Sequence, residues 1–71
     1  METDKPFLKE FGLKIKQRRK QLGISQEELA FRAGFHRTYI GMIEGAERNI
    51  TLSNLKRLAD ALDIKIKTLF E

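Results

Sequence analysis

The stretch LGISQEELAFRAGFHRTYIGMIE, residues 22–44, decides the fold. Ser25-Gln26-Glu27-Glu28 matches a capping box, in which the Ser25 hydroxyl accepts from a first-turn N–H while Glu28 reaches back to the Ser25 N–H. A helix of about eight residues therefore starts at Gln26, turns Leu29, Ala30 and Ala33 inward, and stops at Gly34. A second short helix follows over Arg37 to Glu44, with Ile40 and Ile43 on its inner face and Arg37, Thr38, Gly41 and Met42 on the others. Ala30 is small where the second helix must approach the first, Gly34 can take φ > 0 at the turn, and the two isoleucines wedge the pair onto a core. These offsets, over about residues 26–45, predict two helices that cross steeply at a tight turn.

Upstream, Leu8, Phe11, Ile15 and Leu22 share one helical face and predict a first helix over roughly residues 6–22, with Pro6 in its opening turn and Gly23 just past its end. Downstream, Gly45 ends the third helix and Ala46 to Ile50 form a polar loop. Thr51 then caps a fourth helix whose apolar stripe is Leu52, Leu55, Leu58, Ala59 and Leu62. Ile64, Ile66, Leu69 and Phe70 crowd the last eight residues, a surplus that points to a partner surface. The expected architecture is all-α: one compact five-helix domain over residues 1–71, without strand, repeat or linker, and with a dimerisation segment at about 62–71.

Seventy-one residues with 41% hydrophobic and 34% charged content suit one soluble domain with one modest core, and rule out disorder and collagen-like repeats. No cysteine and a single histidine leave neither a disulfide framework nor a metal cage, so no metal and no cofactor is expected. One histidine, no cysteine and no phosphate-cradling glycine loop also leave no convincing catalytic set, and the chain reads as a non-enzyme. No apolar run approaches the roughly 18 residues of a membrane span, and METDKPFLKEF lacks the apolar stretch of a secretory signal. A cytoplasmic protein without membrane association is expected. The net charge is +4, and residues 5–20 hold seven Lys and Arg against Glu10 alone. A polyanion is the first partner to consider, although such a face can equally serve solubility.

With these residues in place, Leu22 to Glu44 resembles the helix-turn-helix of phage-repressor and Cro-type DNA-binding domains, and the resemblance extends over residues 8–70. Arg37-Thr38-Tyr39-Ile40, Ile43-Glu44 and Arg48-Asn49-Ile50-Thr51 look most like the small controller proteins of restriction-modification systems. The resemblance implies a lambda-repressor-like fold in a prokaryotic or phage protein. The third helix would enter the major groove of double-stranded DNA while the second lies across the backbone. It places Arg37, Thr38, Tyr39 and Met42 at base-reading positions, Arg37 foremost because a guanidinium can bond guanine O6 and N7 together. It places Gln26, His36, Arg48, Asn49, Thr51 and Ser53 against phosphates, where they set register and not sequence. His36 stands where the family favours Ser, Thr or Asp as a helix cap, so capping is its simpler role. Arg19 and Glu44 match a pair that the family buries between its first and third helices. Ile64, Ile66, Leu69 and Phe70 would form the homodimer surface. Two departures stand out: Gly45-Ala46 moves the turn glycine by one position, and Asp63 replaces a common glycine after the fourth helix.

The function that follows is a sequence-specific transcriptional regulator, a homodimer on a pseudopalindromic operator that represses or recruits RNA polymerase according to position. A prophage-type repressor is the nearest alternative. From a different class, a small helical protein-interaction adaptor would keep the fold without using DNA; it predicts that Arg37 is dispensable.

Overall fold

The computed structural model describes residues 5–71; residues 1–4 of the single-domain reading, and with them the start of the METDKPFLKEF stretch, lie outside the described residues. Four α-helices, α1 (Lys5–Gln21), α2 (Gln26–Ala33), α3 (Arg37–Glu44) and α4 (Leu52–Ala61), are followed by a short 3-10 helix, Ile66–Phe70. No strand occurs among the described residues. The all-α expectation stands, but the fifth helix is corrected to a single 3-10 segment. After α4 the chain reverses at Asp63 with φ 56, and five residues are too few to sustain an α-helix of their own.

Local chemistry accounts for most element ends. Gly23 closes α1 with φ 72, and Gly34 closes α2 with φ 78, a region that glycine enters without steric cost. At Gly34 the Phe35 N–H donates to the Ala30 carbonyl over 2.8 Å, which satisfies an end carbonyl of α2. The Ser25 hydroxyl accepts from the Glu28 N–H at 3.0 Å. The reciprocal half of the capping box is absent: the Glu28 carboxylate instead accepts from Arg32 Nε at 2.9 Å, one turn along the same helix. Thr51 caps α4 by accepting from the Asn54 N–H at 3.2 Å.

The loop after α3 shows what the displaced glycine costs. Gly45 sits at φ −87, a value open to any residue, whereas the left-handed position falls on Ala46 at φ 61. Ala46 and Asp63 are the non-glycine residues with positive φ among those described, at the two places where the sequence departs from the family pattern.

The core is a single cluster in which Ile15, Leu29, Ile40, Leu58 and Leu62 are fully buried and Phe11, Ile43, Leu55 and Leu69 nearly so. Two apolar expectations change. Leu52, assigned to the α4 stripe, is 74% exposed, because the first residue of α4 projects beyond the elements packed on the helix. Leu69, assigned to a dimer surface, is 2% exposed and belongs to the core of its own chain. Its neighbour Phe70 stacks on Phe7 at 5.8 Å between ring centroids and 4° between planes, so the 3-10 segment fastens to the start of α1. Helices α1 and α3 approach closely at Gly12, where an added Cβ would lie 2.6 Å from the Ile43 carbonyl oxygen and 2.7 Å from that of Glu44. Only a residue without a side chain lets α1 pass the end of α3 at that distance.

Candidate nucleic-acid interface

The orientation of α3 is set by Glu44 at its far end. The carboxylate is buried and meets Arg19 of α1 in a two-pronged pair, with Arg19 Nε donating to Oε2 at 2.7 Å and a terminal nitrogen donating to Oε1 at 3.1 Å. Arg19 also donates to the Ile24 carbonyl at 2.9 Å. Such a pair is favourable only when its remaining valences are met, and no buried side-chain polar atom among the described residues lacks a partner. Gln26, the first residue of α2, joins from the other side: its Nε2 donates to Glu44 Oε1 at 3.1 Å. One carboxylate thus fastens α1, α2 and α3 together.

At the opposite end of α3, His36 is the cap, its Nδ1 accepting from the Thr38 N–H at 3.2 Å. Imidazole thereby does what Ser or Asp commonly does at this position. Arg37 and Thr38 follow with exposed side chains. The described hydrogen bonds and ion pairs involve neither the Arg37 guanidinium nor the Thr38 hydroxyl, which leaves their donors available to a ligand. Met42 is half-buried.

Tyr39 is placed differently from Arg37 and Thr38. It is half-buried, its ring packs against Phe35 at 4.8 Å and 54°, and its hydroxyl accepts from Asn54 Nδ2 at 3.0 Å. Its outer face carries the Arg48 guanidinium at 5.7 Å from the ring centroid. Arg57 lies over the Phe35 ring, 4.2 Å from its centroid. Arg57 also donates to the Ala33 carbonyl at 3.1 Å and to the Gly34 carbonyl at 2.7 Å. An Arg-Phe-Tyr-Arg series therefore runs beside the turn between α2 and α3 and along α3 to the loop that follows it. Arg48, Asn49, Thr51 and Ser53 are all exposed at that end, with the Thr51 hydroxyl occupied by its cap and 3.4 Å from the Ser53 hydroxyl.

Three residues of consequence are not singled out by sequence reasoning: Gly12, Asn54 and Arg57. A glycine inside a helical pattern does signal close backbone approach, so Gly12 was open to discovery. Arg57 and Asn54 carry no such signal, since their partners lie 23 and 15 residues away and depend on how α4 crosses α2 and α3. The basic run on α1 also resolves into separate tasks. Arg18 donates to the Leu62 carbonyl at 2.9 Å and to that of Asp63 at 3.3 Å, and Arg19 is buried with Glu44. The two arginines of that run are internal clamps, so it is not one continuous binding face.

Two short helices meet at a glycine turn, the second is held at its rear by a buried ion pair and capped at its front, and the front carries free donors. A family pattern described as helix-turn-helix matches residues 15–69. The chain belongs to the helix-turn-helix family. Among its relatives is the control protein C.BamHI of Bacillus amyloliquefaciens, 42% identical over 86% of this chain and 76% of the relative. Among solved structures it is similar to the restriction-modification controller protein C.AhdI of Aeromonas hydrophila, with a TM-score of 0.91, 42% identity, and coverage of 94% of this chain and 97% of that one. It is also similar to the controller protein C.Esp1396I, solved as a tetramer in complex with its natural 35 base-pair operator, with a TM-score of 0.82, 33% identity, and coverage of 89% of this chain and 83% of that one. As a helix-turn-helix protein it supplies α2 and α3 as the two motif helices. No helix among the described residues is long and apolar enough to cross a membrane.

Proposed function

We propose that this helix-turn-helix protein is a sequence-specific DNA-binding transcriptional regulator of the restriction-modification controller type, acting as a homodimer on a pseudopalindromic operator. The observation that carries this reading is the front of α3: Arg37 and Thr38 exposed and uncommitted, on a helix whose tilt is fixed by the Arg19–Glu44 pair. In this geometry α3 lies in the major groove with its N-terminal residues against base edges. Arg37 reads guanine through O6 and N7, Thr38 and Met42 touch neighbouring bases, and Tyr39 contributes mainly by carrying Arg48. Gln26, Arg48, Asn49 and Ser53 meet phosphates on the two sides of the groove, while His36 and Thr51 act first as helix caps.

Because Leu69 is committed to the core, the homodimer surface is redrawn around Phe70, which is 48% exposed beside Phe7, and the half-buried Ile64 and Ile66. The adjoining outer face of α4 offers exposed Leu52, Lys56 and Asp60. Two α3 helices related by a two-fold axis would reach half-sites about 34–36 Å apart. The place of the operator relative to a promoter then decides whether the bound dimer blocks or recruits RNA polymerase.

Selection of bound duplexes from a random pool, followed by titration of the winner at several salt concentrations, tests the reading. A two-fold symmetric site bound at least about 10³-fold more tightly than scrambled DNA, with a steep salt slope, is the expected result. Equal, weak binding to all sequences would overturn it and leave the fold as a protein-interaction module.

A further inference from the structure

The Glu44 carboxylate has two neighbours of different kinds. Arg19 occupies both of its oxygens, which is the structural half of the site. Gln26 reaches Oε1 from the first position of α2, and its side chain is only half-buried. A carboxylate is an acceptor only, so it dictates which way the Gln26 amide faces: Nε2 must point at Glu44, since the reverse rotamer would set the amide oxygen against the negative charge. One Nε2 hydrogen is spent in that bond. The other remains, on a nitrogen polarised by the carboxylate, at the start of a helix whose first-turn backbone N–H groups also face outward.

We infer that Glu44 is a positioning residue for DNA binding: through the Glu44–Gln26 hydrogen bond it holds the second Nε2 hydrogen of Gln26 toward a backbone phosphate, so that the tie fixing α3 also fixes the register of α2 on the duplex. This rests on the DNA-binding reading above and deepens it. A phosphate at this place meets a donor whose orientation is set before contact, so binding does not have to immobilise a free glutamine side chain.

The test measures operator affinity and its salt dependence for the wild type, Gln26→Met, Glu44→Gln and the double variant, each below its own melting transition. Gln26→Met should lower affinity on the order of tenfold, and because a neutral amide releases no counterion the slope of log K against log salt should stay at the wild-type value. Glu44→Gln should show the same loss, and the double variant should lose no more from this contact than Gln26→Met alone. Ile15→Val, a core change away from Gln26, should lower the melting temperature and leave the operator affinity of the folded protein unchanged. Wild-type affinity in folded Glu44→Gln, or losses that multiply in the double variant, would overturn the proposal. If Glu44→Gln does not fold, NMR of the wild type decides: only one of the two Gln26 Nε2 hydrogens should shift on addition of a duplex, and movement of both or of neither overturns it. A wild-type protein that binds no duplex would defeat the DNA-binding reading itself. Wild-type binding with an unaltered Gln26→Met affinity would defeat only the positioning role.

Discussion

Arg19→Ala strands Glu44 as a buried carboxylate without its ion partner, and a charge so placed has neither water nor a counter-ion to solvate it. The expected cost is about 3–5 kcal/mol of folding stability, measured by urea denaturation, before any change in sequence preference. An unchanged melting temperature would count against the pair as the anchor of α3. Arg37→Ala should behave in the opposite way. Its side chain is exposed and outside the described hydrogen bonds and ion pairs, so stability should stay within about 0.5 kcal/mol while operator affinity falls by about 1–3 kcal/mol. Comparing a melting curve with a binding titration separates the two arginines. Gly12→Ala is the harshest small change: its methyl would meet two backbone carbonyl oxygens that no rotamer can move, and a loss of at least about 2 kcal/mol is expected as α1 is pushed off α3.

At the scale of elements, the two positive-φ residues give a matched comparison. Asp63 is exposed at φ 56, so Asp63→Gly removes steric strain without losing packing. It should raise stability by as much as about 1 kcal/mol, the unfolded-state entropy of glycine returning part of the gain. Ala46 shares the left-handed conformation but is buried. Ala46→Gly loses about 0.8 kcal/mol of methyl burial against a similar relief, and the net change should be near zero. Thermal melts of both variants check this, and equal gains would mean that the Ala46 methyl contributes no packing. These loops also show how legible the elements were. Gly23, Gly34, Ser25 and Thr51 could be read as punctuation because each acts on its own backbone within a few residues. Gly45 also ends α3 as read, although the left-handed residue of that turn falls one position later, on Ala46.

For the whole molecule, Leu69 decides how fold and assembly are related. As a core residue at 2% exposure, Leu69→Ala should cost about 2–5 kcal/mol of stability in the monomer as well as in any dimer. A pure dimer-contact role would weaken association alone, and sedimentation beside denaturation distinguishes the two. Of the apolar surplus in the tail only Leu69 is thus spent in the core, while Phe70, stacked on Phe7, stays 48% exposed and Ile64 and Ile66 remain half-buried.

The sequence by itself determined the helical class, the places of α1 to α4, most of the core, and Arg37 and Thr38 as the exposed front of α3. Helix period, caps and glycine turns act over three or four residues, and the chain carries that information locally. Tertiary structure alone decided that Leu52 projects into solvent, that Leu69 turns inward, that Arg57 caps α2 beside Phe35, and that the Glu44 carboxylate paired with Arg19 also accepts from Gln26. Each of these depends on which helix crosses which, and at what distance. Side chains brought together from 18 to 25 positions apart, like Gln26 and Arg19 at Glu44, leave no periodic trace in the sequence.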